Sequence, residues 1–597
     1  MTIAPFAAGT AAADLNTRRL VEMKATLGTL SNQIASGRTA DTYGGLGAGR
    51  TQSLSARAQI GALDSYIAAA GTGATRVALA SASMQQVATL TSAAWNGLDS
   101  AGTGSGSTAR AILQQSALGQ LGGVLDALNQ TTGGQYIMGG RVTDRAPVES
   151  AERILDGDSA AGLAGVRQVI AERQTADLGV GSPKTGRLDV ASAGASASVS
   201  ESPSADVRAN FGFTLQGVVS SNPAALSVAL TAGTPSTATL SFAGQPKDGD
   251  VVRVTVQNAD GSQSLLDLTA RNAGSGGDGT FAIGADAAAS AQNLTAALAG
   301  RAVVGVQSGS PPGATATLAG GTPASATVAI GAGLKAGDSV QVTVGLRDGT
   351  SQTITLSATT SDFTPGFKIG ATPDETAANL SDTLSWTLDA LATTSLAAGS
   401  AFRAVDDFFA GSSSPGLNPR RVASDAAGNA TGFLADPSGR TLVWYKGDDT
   451  SADPRQTATV PVSRDQSVAI GVQANEPALR SALSGLAILA VTPFGSSDPS
   501  GARFALYADR TKALLRPADG QPTVQGIATD LSLASARIDT QKSQNVATKT
   551  MLQKTVDGVE TVSTEEAAAK LLSLQTQLQA SYQATSMLSK LSLTNYL

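Results

Sequence analysis

The chain is expected to be multidomain, α plus β. Its N- and C-terminal α-helices would pair into a stalk, a coiled-coil-like bundle, with β-rich α+β domains inserted between them. Three observations lead there. The two ends, residues 15–131 and 524–597, are helix-patterned, rich in Ala, Ser, Thr, Gln and Leu, and contain no proline. The middle is rich in Gly, Pro, Thr, Asp and Val, with strand-like alternation. Part of that middle repeats itself. A chain that begins and ends in helix while its middle bulges out has the layout of an assembly subunit rather than an enzyme.

At the front, Leu20, Met23, Leu27, Leu30 and Ile34 step by 3 and 4, which is a heptad seam. The seam halts at Ser36-Gly37, and the Gly-rich run 44–49 reads as a loop or helix break. It resumes at Ile60, Leu63, Ile67, Ala70, Ala74, Val77, Ser81, Met84, Ala88, Thr91, Trp95 and Leu98. After a Gly/Ser break at 102–106, a further helix carries Ile112, Leu113, Leu121, Leu125 and Leu128 on its apolar side. At the far end Ile527, Leu531 and Ile538 begin a stripe that runs through Val546, Leu552 and Val559. Leu571, Leu574, Leu578, Leu588 and Leu591 give a last, less regular one.

The outward positions of these helices are uncharged. Residues 25–37 and 77–98 carry no charge, and Lys590 is the only charged side chain from Leu571 onward. A solitary coiled coil usually shows Glu and Lys there. These faces are expected to pack on further helices, those of other copies included.

In the middle, Gly233-Thr234-Pro235 recurs as Gly321-Thr322-Pro323, and Gly249-Asp250 as Gly337-Asp338. Phe281 and Ile283 recur as Phe367 and Ile369, and Asn293-Leu294 as Asn379-Leu380. Val251 to Val256 and Val340 to Val344 alternate like half-buried strands. Asp260-Gly261 and Asp348-Gly349 are placed as hairpin turns. Two tandem copies of a small module result, each made of strands, a short strand and a helix. Beyond them, Leu442 to Tyr445 and Val468 to Val472 read as strands. Residues 477–491 read as an amphipathic helix with Leu479, Leu483, Leu486, Ile488 and Leu489 apolar. The expected domain order is 1–150, N-terminal helical stalk region; 151–221, linker and transition segment, with 180–205 a flexible loop; 222–308 and 309–395, two β-rich repeat modules; 396–515, mixed α+β outer domain; 516–597, C-terminal helical stalk region.

Composition narrows the function. The chain holds no cysteine and no histidine. Disulfides, thiolate catalysis and Cys-based metal sites are therefore excluded, as are a histidine general base and every His-ligated metal. Charged residues are 15% of the chain, against about 25% in ordinary domains, so the surface is wetted by Ser, Thr, Gln and Asn or covered by protein. A net charge of −6 argues against nucleic acid and anionic membranes as partners. The first residues lack a basic segment and an apolar run, so no secretory signal peptide is expected. No stretch is apolar enough to span a bilayer.

Individual motifs point to no chemistry. The run 44–49 lacks the Lys-Ser/Thr of a phosphate loop. Asp406-Asp407 and Asp448-Asp449-Asp453 lack calcium-loop spacing. Trp95, Trp386 and Trp444 read as packing residues. No enzyme activity, cofactor or metal is expected.

Three segments resemble one family. Leu30-Ser31-Asn32-Gln33-Ile34-Ala35-Ser36-Gly37-Arg38 is similar to the end of the first helix in the flagellin family. Asn129, the run Gln135-Tyr136-Ile137-Met138-Gly139-Gly140-Arg141, then Thr143-Asp144 and Pro147 look like the segment after the third helix in its hook-associated members. Met587-Leu588-Ser589-Lys590-Leu591-Ser592-Leu593-Thr594-Asn595-Tyr596-Leu597 is similar to the family's ending. The chain departs from the pattern at 39–49, where many members carry an Asp/Pro/Ala-rich turn. The resemblance implies an inner stalk of paired terminal helices, outward-projecting inserts, and type III export without a cleaved signal peptide to an extracellular flagellum. It implies as partners further copies of the chain, a neighbouring junction protein, flagellin and an export chaperone. The leading expectation is the junction between hook and filament. The filament subunit itself is the alternative, and a secreted adhesin with tandem binding modules a more distant one. The assembly seam would be Leu20, Met23, Leu27, Leu30, Ile34, Ile60, Leu63 and Ile67 with Leu571, Leu574, Leu578, Leu588 and Leu591.

Overall fold

The computed structural model describes residues 7–103, 106–272, 277–309, 311–361, 366–451, 453–494 and 501–590. The chain is 49% helical and 21% strand, with helices at both ends and the sheets between them, a mixed α plus β architecture. Its helices are α1 (Ala7–Ser36), α2 (Gly49–Thr103), α3 (Ser107–Leu128), α4 (Ala151–Asp156), α5 (Val166–Leu178), α6 (Ala205–Asn210) and α7 (Ala287–Ala297). They continue with α8 (Pro373–Leu391), α9 (Ala397–Ala410), α10 (Pro477–Val491), α11 (Ala502–Leu515), α12 (Val524–Glu560) and α13 (Thr564–Lys590). Among the described residues no helix is long and apolar enough to cross a membrane. The chain divides into two compact units: a helical unit of residues 1–77, 459–469 and 533–597, and a β-rich unit of 78–458 and 470–532.

In the helical unit, α1 lies along α13. The seam halts at Gly37 because that residue takes a left-handed φ of 67°, a conformation glycine adopts without a Cβ penalty. Its N–H donates to the Gln33 carbonyl at 2.8 Å, closing the helix. The chain then bridges to the opposite turn. Thr39 N–H donates to the Glu560 carbonyl at 2.7 Å and Val562 N–H to the Gly37 carbonyl at 3.1 Å. The Gly-rich run is a 3-10 turn (Tyr43–Leu46) followed by the start of α2. Gly49 is needed there, since a Cβ would stand 2.7 Å from the Val559 side chain. α2 and α12 run antiparallel: Arg57 meets Glu560, Asp64 meets Lys549, and Gly71 lies near Lys542. A hairpin, Thr459–Pro461 with Ser467–Ala469, completes the unit. Val460 presses on Gly73 of α2, and the Val462 carbonyl accepts from Asn545 Nδ2 of α12 at 2.8 Å.

The β-rich unit centres on α10, which packs against α3, α9 and α11. Leu479, Leu483, Leu486, Ile488 and Leu489 are all fully buried. Ala482, Ser484, Gly485, Ala487 and Ala490 are buried as well, so α10 is covered on all but the edge that carries Pro477, Arg480 and Ser481. The segment 180–205, expected as a flexible loop, forms β1 (Leu188–Ala193) and β2 (Ser196–Glu201), an antiparallel pair. Its Ser/Ala composition conceals a period of 2: Ala197, Val199 and Glu201 point inward and are buried between half-buried serines. Residues 442–445, expected as a strand, make only isolated bridges at Thr441 and Tyr445.

The same order of elements occurs twice, starting at 214 and 302 rather than at the expected 222 and 309, with strands exchanged between the copies. The first copy supplies β3 (Thr214–Ser220), β4 (Leu226–Thr231), β5 (Thr237–Phe242), β6 (Val251–Gln257), β7 (Gln263–Arg271) and β8 (Thr280–Ala282), then α7. The second supplies β9 (Ala302–Ser308), β10 (Ala314–Ala319), β11 (Ser325–Ile330), β12 (Ser339–Gly345), β13 (Ser351–Thr359) and β14 (Phe367–Lys368), then α8. The sheets are ordered β8-β7-β6-β9, β10-β5, β14-β13-β12-β3 and β1-β2-β11-β4. The first three strands of each copy thus pair with the other copy: β3 with β12, β4 with β11, β5 with β10, and β9 with β6. The pairings β6–β9 and β12–β3 carry a register shift at the equivalent place, Thr255/Val256 and Thr343/Val344. At the crossing, Thr234 and Thr322, 88 residues apart, share a hydroxyl–hydroxyl bond of 3.1 Å. Both hairpin turns form as expected, with Gly261 and Gly349 at φ 85° and 87°. Val252, Val254, Phe281 and Leu294 fill one core, and Val340, Val342, Phe367 and Leu380 fill the other.

Candidate assembly surface

The expected seam residues face inward only in part. Leu20, Met23, Leu27, Leu30 and Ile34 on α1, Ile60, Leu63 and Ile67 on α2, and Leu571 and Leu574 on α13 are all half-buried. Leu578 is buried, at 8% exposure. Leu588 and Leu591 lie outside the residues whose side chains are described. A helix that meets one neighbour covers one narrow stripe, and half-burial is the result.

Fully buried positions in the unit are mostly ones the seam omitted. Ser53, Ala56, Val556 and Ala567 are enclosed. Val556 lies one turn from both Leu552 and Val559 and so on the same face as the expected stripe, whose two named positions are half-buried. Val546, placed on the stripe, is 44% exposed.

From residue 70 onward the buried stripe of α2 is Ala70, Gly73, Val77, Ala80, Met84, Val87, Thr91, Ala94, Leu98 and Ala101, with Ser83 buried beside it. Ala74, Ser81, Ala88 and Trp95 flank them, half-buried. Every second expected position is therefore displaced by one residue. The helix offers small side chains on both sides of its seam, so hydrophobicity could not choose between a 3-then-4 and a 4-then-3 step. Close approach did choose. A Cβ on Gly73 would fall 2.4 Å from Val460. Trp95 instead carries the Arg516 guanidinium 4.5 Å from its ring centroid. On α3, Ile112 is 63% exposed while Leu113, Leu121, Leu125 and Leu128 are buried. Of the remaining tryptophans, Trp444 is buried and Trp386 is exposed, contrary to its expected packing role.

The helical unit leaves several large apolar side chains uncovered, beside exposed charges such as Arg18, Arg19, Glu22 and Lys24. Leu15, Val21, Leu54, Met551, Leu572, Tyr582 and Met587 are all exposed. Between them stand threonines whose hydroxyls turn back on their own helix. Thr26 donates to the Glu22 carbonyl at 2.8 Å, Thr29 to Ala25 at 3.1 Å, Thr550 to Val546 at 2.9 Å, Thr576 to Leu572 at 2.9 Å and Thr585 to Ser581 at 2.8 Å. A hydroxyl already bonded to an i−4 carbonyl loses little when water leaves. Those threonines can be buried by a partner without stranding their hydroxyls.

One ion pair ties α2 to the end of α12. Glu560 accepts from Arg57 Nε at 2.7 Å and Nη2 at 2.5 Å, and from the buried Ser53 hydroxyl. The Arg57 hydrogen bonds, then that of Ser53, hold the Glu560 carboxyl down to about 2, and the same contact pushes the Arg57 guanidinium up. Along the helices, Lys549–Asp64 at 2.6 Å is a surface pair, of the kind that contributes about 0–1 kcal/mol.

Neither acidic motif is arranged for calcium. Asp448 accepts from Thr450 N–H at 3.0 Å, the Thr450 hydroxyl at 2.8 Å and the Ser451 hydroxyl at 2.6 Å. Asp407 is locked in a buried ion pair with Arg420. Among the described residues no group of three acidic side chains could hold a metal ion. A scan against models of known families finds none that matches this chain, and a search of curated proteins finds no match.

Proposed function

We propose that the chain is a structural subunit of the bacterial flagellum, placed at the junction between hook and filament, and that it assembles through its terminal helices as a coiled-coil-like stalk. The observation that carries this reading is the helical unit. Helices from opposite ends of the chain, α1 and α13, lie side by side, and the same unit exposes Leu15, Val21, Met551, Leu572 and Met587 among self-satisfied threonines. Burying each such side chain in a neighbouring copy contributes about 1.5–3 kcal/mol. The motifs at 30–38, 135–147 and 587–597 support the family. The partners in this reading are further copies, a neighbouring junction protein, flagellin and an export chaperone, and the place of action is outside the cell.

Electron microscopy of cells lacking this one gene tests the proposal. Hooks without filaments, with flagellin shed into the medium, are the expected result. An intact junction with a missing or shortened filament would make the chain a filament flagellin instead. Fully normal flagella would overturn the reading and favour an adhesin.

A further inference from the structure

In the β-rich unit a cleft of about 710 Å³ is walled by β7, the turn after β12, and helices α9, α10 and α11. Five arginines from five places in the sequence reach it: Arg253, Arg347, Arg403, Arg480 and Arg510. Two are neutralised. Arg253 clasps Asp267 through Nε at 2.7 Å and Nη2 at 2.8 Å, and Arg510 pairs with Asp348. The other three have no carboxylate bonded to them. Arg347, nearly fully buried, donates only to the carbonyls of Arg208, Phe211 and Gly212. Arg403 donates to the Gln263 carbonyl at 2.6 Å and to its Oε1 at 3.1 Å, while its Nε has no partner. Arg480, on α10, makes no side-chain hydrogen bond or ion pair among the described residues.

Against these three stands one further acid on the wall, Asp406 of α9. It has open surface although protein atoms surround it densely, because it borders the cleft. The cleft wall therefore carries more arginines than carboxylates, with Asp177, Glu201 and Asp407 behind it acting on Arg347 and Arg403 without bonding to them. Burial lowers the guanidinium of Arg347 to about 10 and lowers those of Arg403 and Arg480, the effect of cations held away from water. Unpaired cations in such a place are costly, and an anion in the cleft would relieve that cost.

We propose that this cleft binds a compact oxyanion, a carboxylate or phosphate group carried on a small polar molecule, with Arg480 and Arg403 as its principal contacts. The volume lies in the range of small-molecule sites. The planar fork of arginine matches both kinds of oxyanion. The wall hydroxyls of Ser262, Thr350, Ser481 and Ser484 suit the polar remainder of such a ligand. The inference stands on the β-rich unit alone and does not depend on assembly.

Calorimetric titration of the full chain with inorganic phosphate, glucuronate and glucose tests it. The expected result is saturable binding of at least one anion below about 1 mM, with none for glucose. Binding of glucuronate alone would identify a sugar acid, and binding of phosphate alone a phosphate-bearing ligand. Arg480→Gln and Arg403→Gln are each expected to weaken binding roughly tenfold or more. Arg480→Lys, which keeps the charge, should retain part of it. Arg480→Gln should also melt about where the parent chain does, since it removes a cation with no side-chain hydrogen bond. No saturable anion binding up to about 10 mM, or affinity unchanged in both glutamine variants, would overturn the proposal.

Discussion

The two units of this chain solve the burial problem differently. The β-rich unit encloses most of its aromatic side chains, although Trp386 and Ile112 stay exposed. Trp444, Tyr445, Tyr507, Phe211, Phe367, Phe408, Phe409 and Phe494 are all almost wholly buried, and each belongs to that unit. The helical unit encloses no aromatic among its buried residues, only aliphatic and small ones such as Ile538, Val556, Ser53, Ala56, Ala70 and Ala567, while Met551, Leu572, Tyr582 and Met587 stay in solvent. Aromatic residues are only 4% of the chain, and their placement shows where a self-sufficient core was built. The difference teaches that one unit completes itself, whereas the other offers apolar surface that a neighbour can cover.

Substitutions sharpen that contrast, and the largest effect belongs to the self-sufficient unit. Trp444 makes an edge contact with Phe409 and donates from Nε1 to the Phe409 carbonyl at 3.0 Å. Trp444→Ala is expected to cost about 3–5 kcal/mol, read by urea unfolding of the β-rich unit. A loss below about 1 kcal/mol would show that this cluster does not organise the core.

Next come the seam residues of the helical unit. Leu27→Asp or Leu578→Asp places a charge in the α1–α13 contact, and each is expected to cost on the order of 2–3 kcal/mol in that unit. Polymerisation followed by light scattering should then be lost, while the β-rich unit melts unchanged. Normal assembly by both variants would break the contrast.

A pH effect follows, with a defined sign. The Glu560 carboxyl lies at about 2, below its ordinary value of 4.5. The stabilisation from its bonds to Arg57 and Ser53 is therefore fully present above about pH 4.5 and is lost as pH falls from there towards about 2. The helical unit should melt progressively lower across that window in thermal scans monitored by circular dichroism. In Glu560→Gln the Tm should change less with pH over the same range. An equal acid response in the variant would assign the effect to other carboxylates.

The smallest effect on folding is expected at Met551, which is 71% exposed. Met551→Gln should shift unfolding by no more than about 0.5 kcal/mol, yet raise the concentration needed for polymerisation. An unchanged critical concentration would remove this residue from the assembly surface.

The sequence by itself determined features that depend on a few neighbouring residues. A 3.6-residue period marked the terminal helices, and a period of 2 marked β6 and β12. A left-handed glycine stopped α1 at Gly37 and turned both hairpins at Gly261 and Gly349, because few other residues take a positive φ without strain. The repeat was legible as well, since Thr234 and Thr322 stand in matching turns. The tertiary structure alone decided which copy each strand joined, because β3 and β9 are interchangeable in pattern and only chain closure selects a partner. It decided which Ala-rich edge of α2 faces inward, because Ala74 and Ala80 are the same side chain until Val460 presses on Gly73. It also gathered five arginines around one cleft. Local physics acts over one turn or one strand step, whereas these outcomes depend on residues far apart in the chain whose individual chemistry is the same at many positions.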